Sequence, residues 1–100
     1  MIWKVKIHRL VIEKDFKKLD AHQKKKIIQV IRKKLSKNPE QYGEPLRGLY
    51  KNYQKLKIGE YRVIYRIVKD KILVLVIKVG IRRDYEVYDE LFHRLKKLEQ

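Results

Sequence analysis

Hydrophobic and polar residues alternate along residues 53–65, and this pattern predicts a β-hairpin. The two alternating runs meet at Gly59 and Glu60, where glycine in the first central position suits the turns that match the twist of paired strands. With these two residues as the loop, Lys57 lies directly opposite Arg62. The hairpin is therefore expected to pair two cations across neighbouring strands.

The two faces of this hairpin differ in polarity, because successive side chains of a strand point to opposite sides. The apolar face, which is expected to join the core, consists of Leu56, Ile58, Tyr61, Val63 and Tyr65. The opposite face is cationic and consists of Lys55, Lys57, Arg62 and Arg66. Like charges opposite each other destabilise a strand pair by roughly 0.2–1 kcal/mol, and a bound polyanion would relieve this repulsion.

A short strand and a helical hairpin are predicted before the β-hairpin. Residues 2–7 alternate as a half-buried strand, and hydrophobic residues at helical spacing follow over about residues 10–19. A second helix opens at Asp20, whose side chain can cap it, and ends before Pro39. Residues 38–50 contain two prolines and two glycines and are predicted as a loop.

An apolar run over residues 71–79 predicts a strand near the centre of the sheet. The connection from the β-hairpin has either two or three residues, and we expect three, because this length places apolar side chains of the strand on the core face with Val63 and Tyr65. These side chains are Leu73, Leu75 and Ile77. In the same register Lys78 joins the cationic face, since a slip of one residue would exchange the two faces.

A final helix is predicted after Asp84, which follows the strand-ending Gly80. The order of elements is therefore β-α-α-β-β-β-α within a single domain, residues 1–100. This order predicts a two-layer α+β fold, in which the N-terminal strand and the helical hairpin pack on a small, mostly antiparallel sheet.

Charge is the strongest compositional signal, since 27 Lys and Arg residues against 12 Asp and Glu residues give a formal net charge of +15. Such an excess is typical of a nucleic-acid partner, because neutralised phosphates release counterions. A lysine-rich solvated surface, as in proteins adapted to heat, is the alternative. The chain has no cysteine and no apolar run long enough to span a membrane, and we expect a cytoplasmic protein.

Few side chains capable of catalysis are available. His8, His22 and His93 lie on three different predicted elements without ligand spacing, so neither a metal nor another cofactor is expected. RNA cleavage suits the lysines, arginines, tyrosines and carboxylates that remain, because the ribose 2′-hydroxyl of the substrate supplies the nucleophile. Lys57 could act as the base if neighbouring cations favour loss of its proton. From spacing alone, long cationic side chains that extend into water are an equally good interpretation.

Three segments resemble successive sequence blocks of the RelE/ParE toxin superfamily, and more closely its RelE branch. They are residues 44–49 (EPLRGL), 53–65 (YQKLKIGEYRVIY) and 79–88 (VGIRRDYEVY). The resemblance implies a small toxin of a type II toxin-antitoxin system that enters the ribosomal A site and cuts mRNA by attack of the 2′-hydroxyl, without a metal. It also implies a cognate RelB-like antitoxin that holds the toxin inactive.

The resemblance also implies roles for individual residues. The paired strand lysines of the family match Lys55 and Lys57, of which Lys57 is the preferred general base, and Arg62 would stabilise charge on the phosphate. Arg82 matches an arginine that stabilises the leaving group or the phosphate, and Tyr88 matches a tyrosine that orients the substrate nucleotide. Further RNA contacts are expected from Arg47, Arg66, Lys78 and Arg83.

Alternative interpretations are open for both the site and the function. Arg82 could be a solvated loop residue, and Tyr88 could pack beside Phe92 one helical turn along. Ile81 stands where many relatives outside the RelE branch carry histidine, which argues against a histidine-based mechanism. The alternative functions are a ParE-like inhibitor of DNA gyrase that cuts no bond itself, and a non-catalytic basic protein that binds RNA or the ribosome.

Overall fold

The computed structural model describes residues 2–46, 52–81 and 91–96. The described strands are β1 (Lys4–Ile7), β2 (Glu44–Pro45), β3 (Tyr53–Ile58), β4 (Tyr61–Val68) and β5 (Leu73–Ile81). The α-helices are α1 (Ala21–Leu35) and α2 (Pro39–Tyr42), and residues 91–96 form a helical segment that we call the C-terminal helix. Short helical turns are formed by Val11–Asp15, Phe16–Lys18 and Lys69–Lys71.

Helix α1 begins where the sequence predicts it. The Asp20 side chain accepts a hydrogen bond of 2.7 Å from the Gln23 backbone N–H, and the apolar stripe of the helix is buried. The segment before it is less regular than predicted, since a π-type turn (Val11–Asp15) continues into a 3₁₀ turn (Phe16–Lys18). The region predicted as a loop also contains two short elements, α2 and β2.

The five strands form one mixed sheet in the order β1-β5-β4-β3-β2. Strand β1 runs parallel to β5, and the other neighbouring pairs are antiparallel. The apolar strand β5 is therefore internal, as its sequence predicts. The predicted α+β class with a small, mostly antiparallel sheet is confirmed.

The β3–β4 hairpin has the register that the sequence predicts. Lys57 pairs with Arg62, and Gly59 and Glu60 form the two-residue loop. Gly59 has a φ of +58°, a left-handed conformation that glycine adopts without steric cost. The apolar side of the hairpin packs into the main core, as expected.

The connection between β4 and β5 is one residue longer than predicted. A 3₁₀ turn (Lys69–Lys71) and Ile72, which has a left-handed φ of 49°, join the two strands. The register then pairs Val68 with Leu73. The expected three-residue connection is therefore wrong, because Ile72 adopts a conformation that is uncommon for a β-branched residue and adds one position to the loop.

A β-bulge further changes which side chains of β5 face the main core. The register shifts by one residue between Ile64 and Tyr65, which leaves Ile77 of β5 as the extra residue. The residues of β5 in the main core are Val74, Val76 and Val79. Leu75 and Ile77, expected in that core, instead pack with Ile64 on the other face of the sheet.

Hydrophobic side chains pack on both faces of the sheet. The main core lies between the sheet, α1 and the turns that precede α1, and it includes Val11, Phe16 and Ile27. The smaller core on the opposite face is formed by Leu46, Ile64, Ile77 and Leu91. The C-terminal helix therefore covers part of the face that carries the cations of the hairpin.

A buried ion cluster lies beside β5, next to the part of this strand that extends past its pairing with β1. The Asp15 carboxylate accepts hydrogen bonds from the Val79 backbone N–H at 2.8 Å and from the Lys78 ammonium at 2.9 Å. It accepts two more from the Arg94 guanidinium, at 2.7 and 2.9 Å. Lys78 is only 2% exposed. Lys78, predicted as an RNA contact, is thus placed in the buried ion cluster, where the Asp15 carboxylate holds its ammonium.

Candidate functional site

Lys55 and Lys57 lie two positions apart on β3 and occupy the same face of the sheet. Both approach the carboxylate of Glu44: the Lys55 Nζ lies 3.9 Å from Oε2, and the Lys57 Nζ lies 3.8 Å from Oε1. The side chain of Lys55 is 26% exposed and that of Lys57 is 55% exposed. Two accessible ammonium groups therefore converge on one carboxylate near the edge of the sheet.

Glu44 reaches this position through the pairing of β2 with β3, in which it lies opposite Lys55. The next residue, Pro45, has no backbone N–H to donate, which suits a strand at the edge of a sheet. Alternation of polarity cannot reveal a strand of two residues, so the sequence does not predict this contact. The environment of Lys57 is therefore less cationic than the hairpin sequence alone suggests.

Arg62 belongs to the same face but is turned toward the hairpin loop. Its Nη1 donates hydrogen bonds to the Gly59 carbonyl at 3.1 Å and to the Tyr61 carbonyl at 3.0 Å, and the residue is 6% exposed. Lys57 meanwhile has the carboxylate of Glu44 as its neighbour. The expected repulsion between the two cations is thus offset within the protein, because each side chain has its own acceptor.

The structure brings together most of the predicted site residues that it describes. Lys55, Lys57, Arg62 and Arg66 share one face, and Arg66 is exposed on β4. Lys78 belongs to the buried ion cluster instead. The remaining predicted residues lie outside the described part of the chain: Arg47, Arg82, Arg83 and Tyr88.

The chemistry available at this face is recognition of an anion. Ammonium groups form strong, charge-assisted hydrogen bonds with phosphate oxygens. A phosphate that approaches Lys55 and Lys57 would compete with the Glu44 carboxylate for both of them. Within the described residues, no group of three or more histidine and carboxylate side chains is placed to hold a metal ion.

Tyr65 and His8, whose pKa values are shifted, lie elsewhere in the structure. Burial raises the pKa of the Tyr65 hydroxyl well above its ordinary value, and this hydroxyl lies 2.6 Å from the Pro39 carbonyl oxygen. Burial also lowers the pKa of His8, and the charges of Arg9, Arg94 and Lys6 act in the same direction. Tyr65 faces the main core and His8 follows β1. Neither belongs to the site formed by Lys55, Lys57 and Glu44, which we call the lysine site.

Comparison with known proteins identifies the class, which is that of the toxins of type II toxin-antitoxin systems. Residues 5–85 match the family model of the ParE toxin of type II toxin-antitoxin systems, parDE. The chain belongs to the RelE/ParE toxin family. No helix in the described part of the chain is long and apolar enough to cross a membrane.

Within this family, the chain is similar to RelE proteins. It is 36% identical over 73 residues to the mRNA interferase toxin RelE of Escherichia coli K12. The matched region covers 72% of each of the two chains. Its fold matches the toxin-antitoxin complex RelBE2 of Mycobacterium tuberculosis with a TM-score of 0.74, at 24% identity over 82% of this chain and 100% of that chain. A free mutant of Escherichia coli RelE matches with a TM-score of 0.71, at 24% identity over 94% and 98% of the two chains. The predicted resemblance to RelE is confirmed.

Proposed function

We propose that this toxin is a ribosome-dependent endoribonuclease that cuts mRNA in the ribosomal A site by metal-independent attack of the 2′-hydroxyl. The observation that supports this proposal best is the convergence of Lys55 and Lys57 on the Glu44 carboxylate. Two ammonium groups that approach one carboxylate can also bind one phosphate. The 36% identity to a RelE protein named as an mRNA interferase adds support.

The chemical step needs only groups that this chain can supply. Lys57 takes the proton of the 2′-hydroxyl as the oxygen attacks the adjacent phosphorus. The bond from phosphorus to the 5′-oxygen breaks, which leaves a cyclic phosphate on one fragment and, once a proton is added, a 5′-hydroxyl on the other. Lys55 and Arg62 stabilise the negative charge that builds up on the phosphate oxygens.

The residues outside the described ranges complete the proposal. Arg82 stabilises the leaving group or the phosphate, and Tyr88 stacks on or orients the substrate nucleotide, as the family resemblance implies. The exposed Arg66, together with Arg47 and Arg83, contacts the RNA backbone. These arginines position the RNA and carry no sequence information themselves.

The proposed partners are the ribosome with its mRNA, in the cytoplasm, and a RelB-like antitoxin. A relative with the same fold is seen in a toxin-antitoxin complex. The net charge of +15 favours an antitoxin with acidic segments that cover the cationic face.

Primer extension on a translated mRNA tests this function. The proposal predicts cuts at positions set by the codon in the A site, which appear with ribosomes and are absent when the same mRNA is naked. Translation arrest with intact message would contradict it.

The ParE-like function is the second candidate, because the matching family model is that of ParE. Inhibition of DNA supercoiling by gyrase, at toxin concentrations that leave translated mRNA intact, would establish that function instead. The convergent lysines favour the nuclease, since a stoichiometric inhibitor needs no such arrangement.

A further inference from the structure

Helix α1 carries a second cationic surface, separate from the lysine site. Its apolar stripe, which includes Ile27 and Ile31, packs on the face of the sheet opposite to that of Lys55 and Lys57. Its other side is exposed to solvent and polar throughout. We call this side the α1 surface, and it consists of His22, Lys25, Lys26, Gln29, Arg32 and Lys33.

The α1 surface has no internal charge compensation. The sequence of α1 contains no acidic residue, whereas exposed helices are commonly stabilised by acidic and basic residues three or four positions apart. Within the described residues, Lys25, Lys26, Arg32 and Lys33 have no salt-bridge partner. Among the described residues, no acidic side chain lies within ion-pair distance of these four cations.

The helix dipole of α1 is satisfied at both ends. The N-terminal end of a helix carries partial positive charge, and there the acidic side chain of Asp20 accepts the Gln23 backbone N–H. Arg32 and Lys33 lie in the last turn, where cations are favourable. A bound anion would therefore be held by the uncompensated charge of the α1 surface and not by the helix dipole.

We propose that the α1 surface binds the phosphate backbone of folded RNA. Lys25 and Arg32 are seven residues apart, as are Lys26 and Lys33, so each pair spans about 10 Å along the same side of the helix. Double-stranded nucleic acid carries about one phosphate charge per 1.7 Å of its axis, so two rows of this length meet several phosphates. RNA duplexes are recognised mainly by shape and through backbone contacts, which requires no base-reading side chain on the helix.

A membrane fits this surface less well than RNA does. Helices that bind a lipid surface insert an apolar side between the headgroups, whereas the apolar side of α1 is already buried in the core. An acidic protein also fits less well. Stable protein interfaces are centred on aromatic or aliphatic anchors, and the exposed large hydrophobic residues of the described chain all lie outside α1.

This inference rests on the proposed function and extends it. The ribosome is largely folded RNA, and mRNA would be engaged on the opposite face of the sheet. The α1 surface would hold the toxin on the ribosome while the lysine site cuts. It should therefore contribute to affinity for the ribosome and leave the chemical step unchanged.

The test compares two variants that lose the same amount of charge. The α1 variant combines Lys25→Gln, Lys26→Gln, Arg32→Gln and Lys33→Gln. The control variant combines Lys4→Gln, Lys6→Gln, Lys69→Gln and Lys71→Gln, all at exposed positions outside α1. Circular dichroism and the thermal unfolding midpoint verify that both variants are folded, and glutamine keeps a helix propensity close to that of lysine.

Binding to purified ribosomes and to a short RNA duplex is then measured over a series of salt concentrations. For the α1 variant we expect at least a tenfold loss of affinity near 0.1 M salt, and a salt slope that is shallower by about 3–4, because up to four phosphate contacts are removed. We expect a much smaller loss for the control variant. At saturating ribosome concentration, mRNA cleavage by the α1 variant should proceed at the rate of the unmodified protein.

Several results would overturn the inference. They are equal losses in the two variants, normal ribosome and RNA binding by the α1 variant, or a loss confined to binding of the antitoxin or of vesicles rich in anionic lipid. Failure of the nuclease proposal gives a different result, in which the unmodified protein binds ribosomes through the α1 surface but leaves translated mRNA intact.

Discussion

Asp15 and Arg94 form a buried, bidentate ion pair although they lie 79 positions apart in the chain. The same carboxylate also accepts hydrogen bonds from Lys78 and from the backbone N–H of Val79. Asp15 thereby links the first helical turn, the end of β5 and the C-terminal helix. Within the described residues, no buried side-chain nitrogen or oxygen atom is left without a hydrogen-bond partner.

The ion cluster predicts a large loss of stability on substitution of Asp15. Asp15→Asn removes the counter-charge of the buried Arg94 guanidinium, and breaking a buried ion pair in this way typically costs about 3–5 kcal/mol. Urea unfolding should show this decrease in the free energy of unfolding. Glu13→Gln is the control, because Glu13 pairs with Arg9 at the surface, where ion pairs contribute about 0–1 kcal/mol. Similar losses in the two variants would contradict a special role for Asp15.

The role of Lys57 is tested by two substitutions that differ in charge. Lys57→Ala should reduce single-turnover cleavage on ribosomes by about 100- to 10,000-fold, the usual contribution of a general base. Lys57→Arg should be nearly as inactive, since arginine retains the positive charge but cannot lose its proton. Lys71→Ala, on the exposed turn before β5, should retain full activity. If Lys57→Arg cleaves normally, Lys57 is a phosphate contact and not the base.

Glu44 is expected to compete with the substrate phosphate for the two lysines. Glu44→Gln removes the negative charge and should tighten binding to ribosomes by no more than about 30-fold, since each of its two ion pairs contributes about 0–1 kcal/mol. The cleavage rate at saturation should stay unchanged. Affinity from a ribosome titration and rate from single-turnover cleavage separate these effects. Loss of the rate would show instead that Glu44 takes part in the chemical step.

His8 predicts a component of stability that is lost in mild acid. Because burial lowers its pKa in the folded protein below the ordinary value of 6.5, the unfolded chain binds the proton first as the pH falls. The free energy of unfolding should therefore decrease as the pH falls below about 6.5 and until the folded pKa is reached. In the folded state the His8 Nδ1 accepts a hydrogen bond from the Leu10 backbone N–H at 3.0 Å, which requires an unprotonated nitrogen.

The variant His8→Asn offers an acceptor in a similar place but has no proton to bind. Urea unfolding between about pH 5 and pH 8 should show a weaker pH dependence for this variant than for the unmodified protein. Identical pH profiles would exclude His8 as the source.

Gly43 allows a close approach between the chain and a buried tyrosine. A Cβ atom at this position would overlap the Tyr65 hydroxyl. Gly43→Ala should destabilise the protein by about 1–3 kcal/mol, the usual cost of overpacking. Tyr65→Phe removes the overlapping oxygen, so the double variant should lose less stability than the sum of the two single variants. Strict additivity of the measured free energies would contradict this contact.

The sequence predicts those parts of the fold in which local chemistry is sufficient. Alternating polarity on both sides of Gly59 establishes the hairpin register, and a polar side chain at Asp20 establishes the start of α1. The conformation of Ile72 and the bulge at Ile77 leave no comparable signal, because they result from the packing of β5 between its neighbours. The faces of β5 could therefore not be predicted.

The candidate site shows the same division. The positions of Lys55 and Lys57 on one face follow from their spacing, whereas their contact with Glu44 depends on a strand too short to be recognised. The burial of Lys78 depends on Asp15, a partner 63 positions away. Contacts over such distances in sequence cannot be inferred from a single chain.

The order of strands in the sheet has a consequence for the time at which the protein can fold. Strand β5 lies between β1 and β4, yet it is the last of the described strands to leave the ribosome during synthesis. Until β5 has been made, β1 cannot pair, because β5 is its neighbour in the sheet. Their pairing also joins distant segments of the chain, which is slow and incurs a loop-closure cost. A nascent chain that ends before β5 therefore cannot complete the sheet on which Lys55 and Lys57 are carried. The ribosome that synthesises this toxin is therefore not exposed to the folded sheet until synthesis has passed β5.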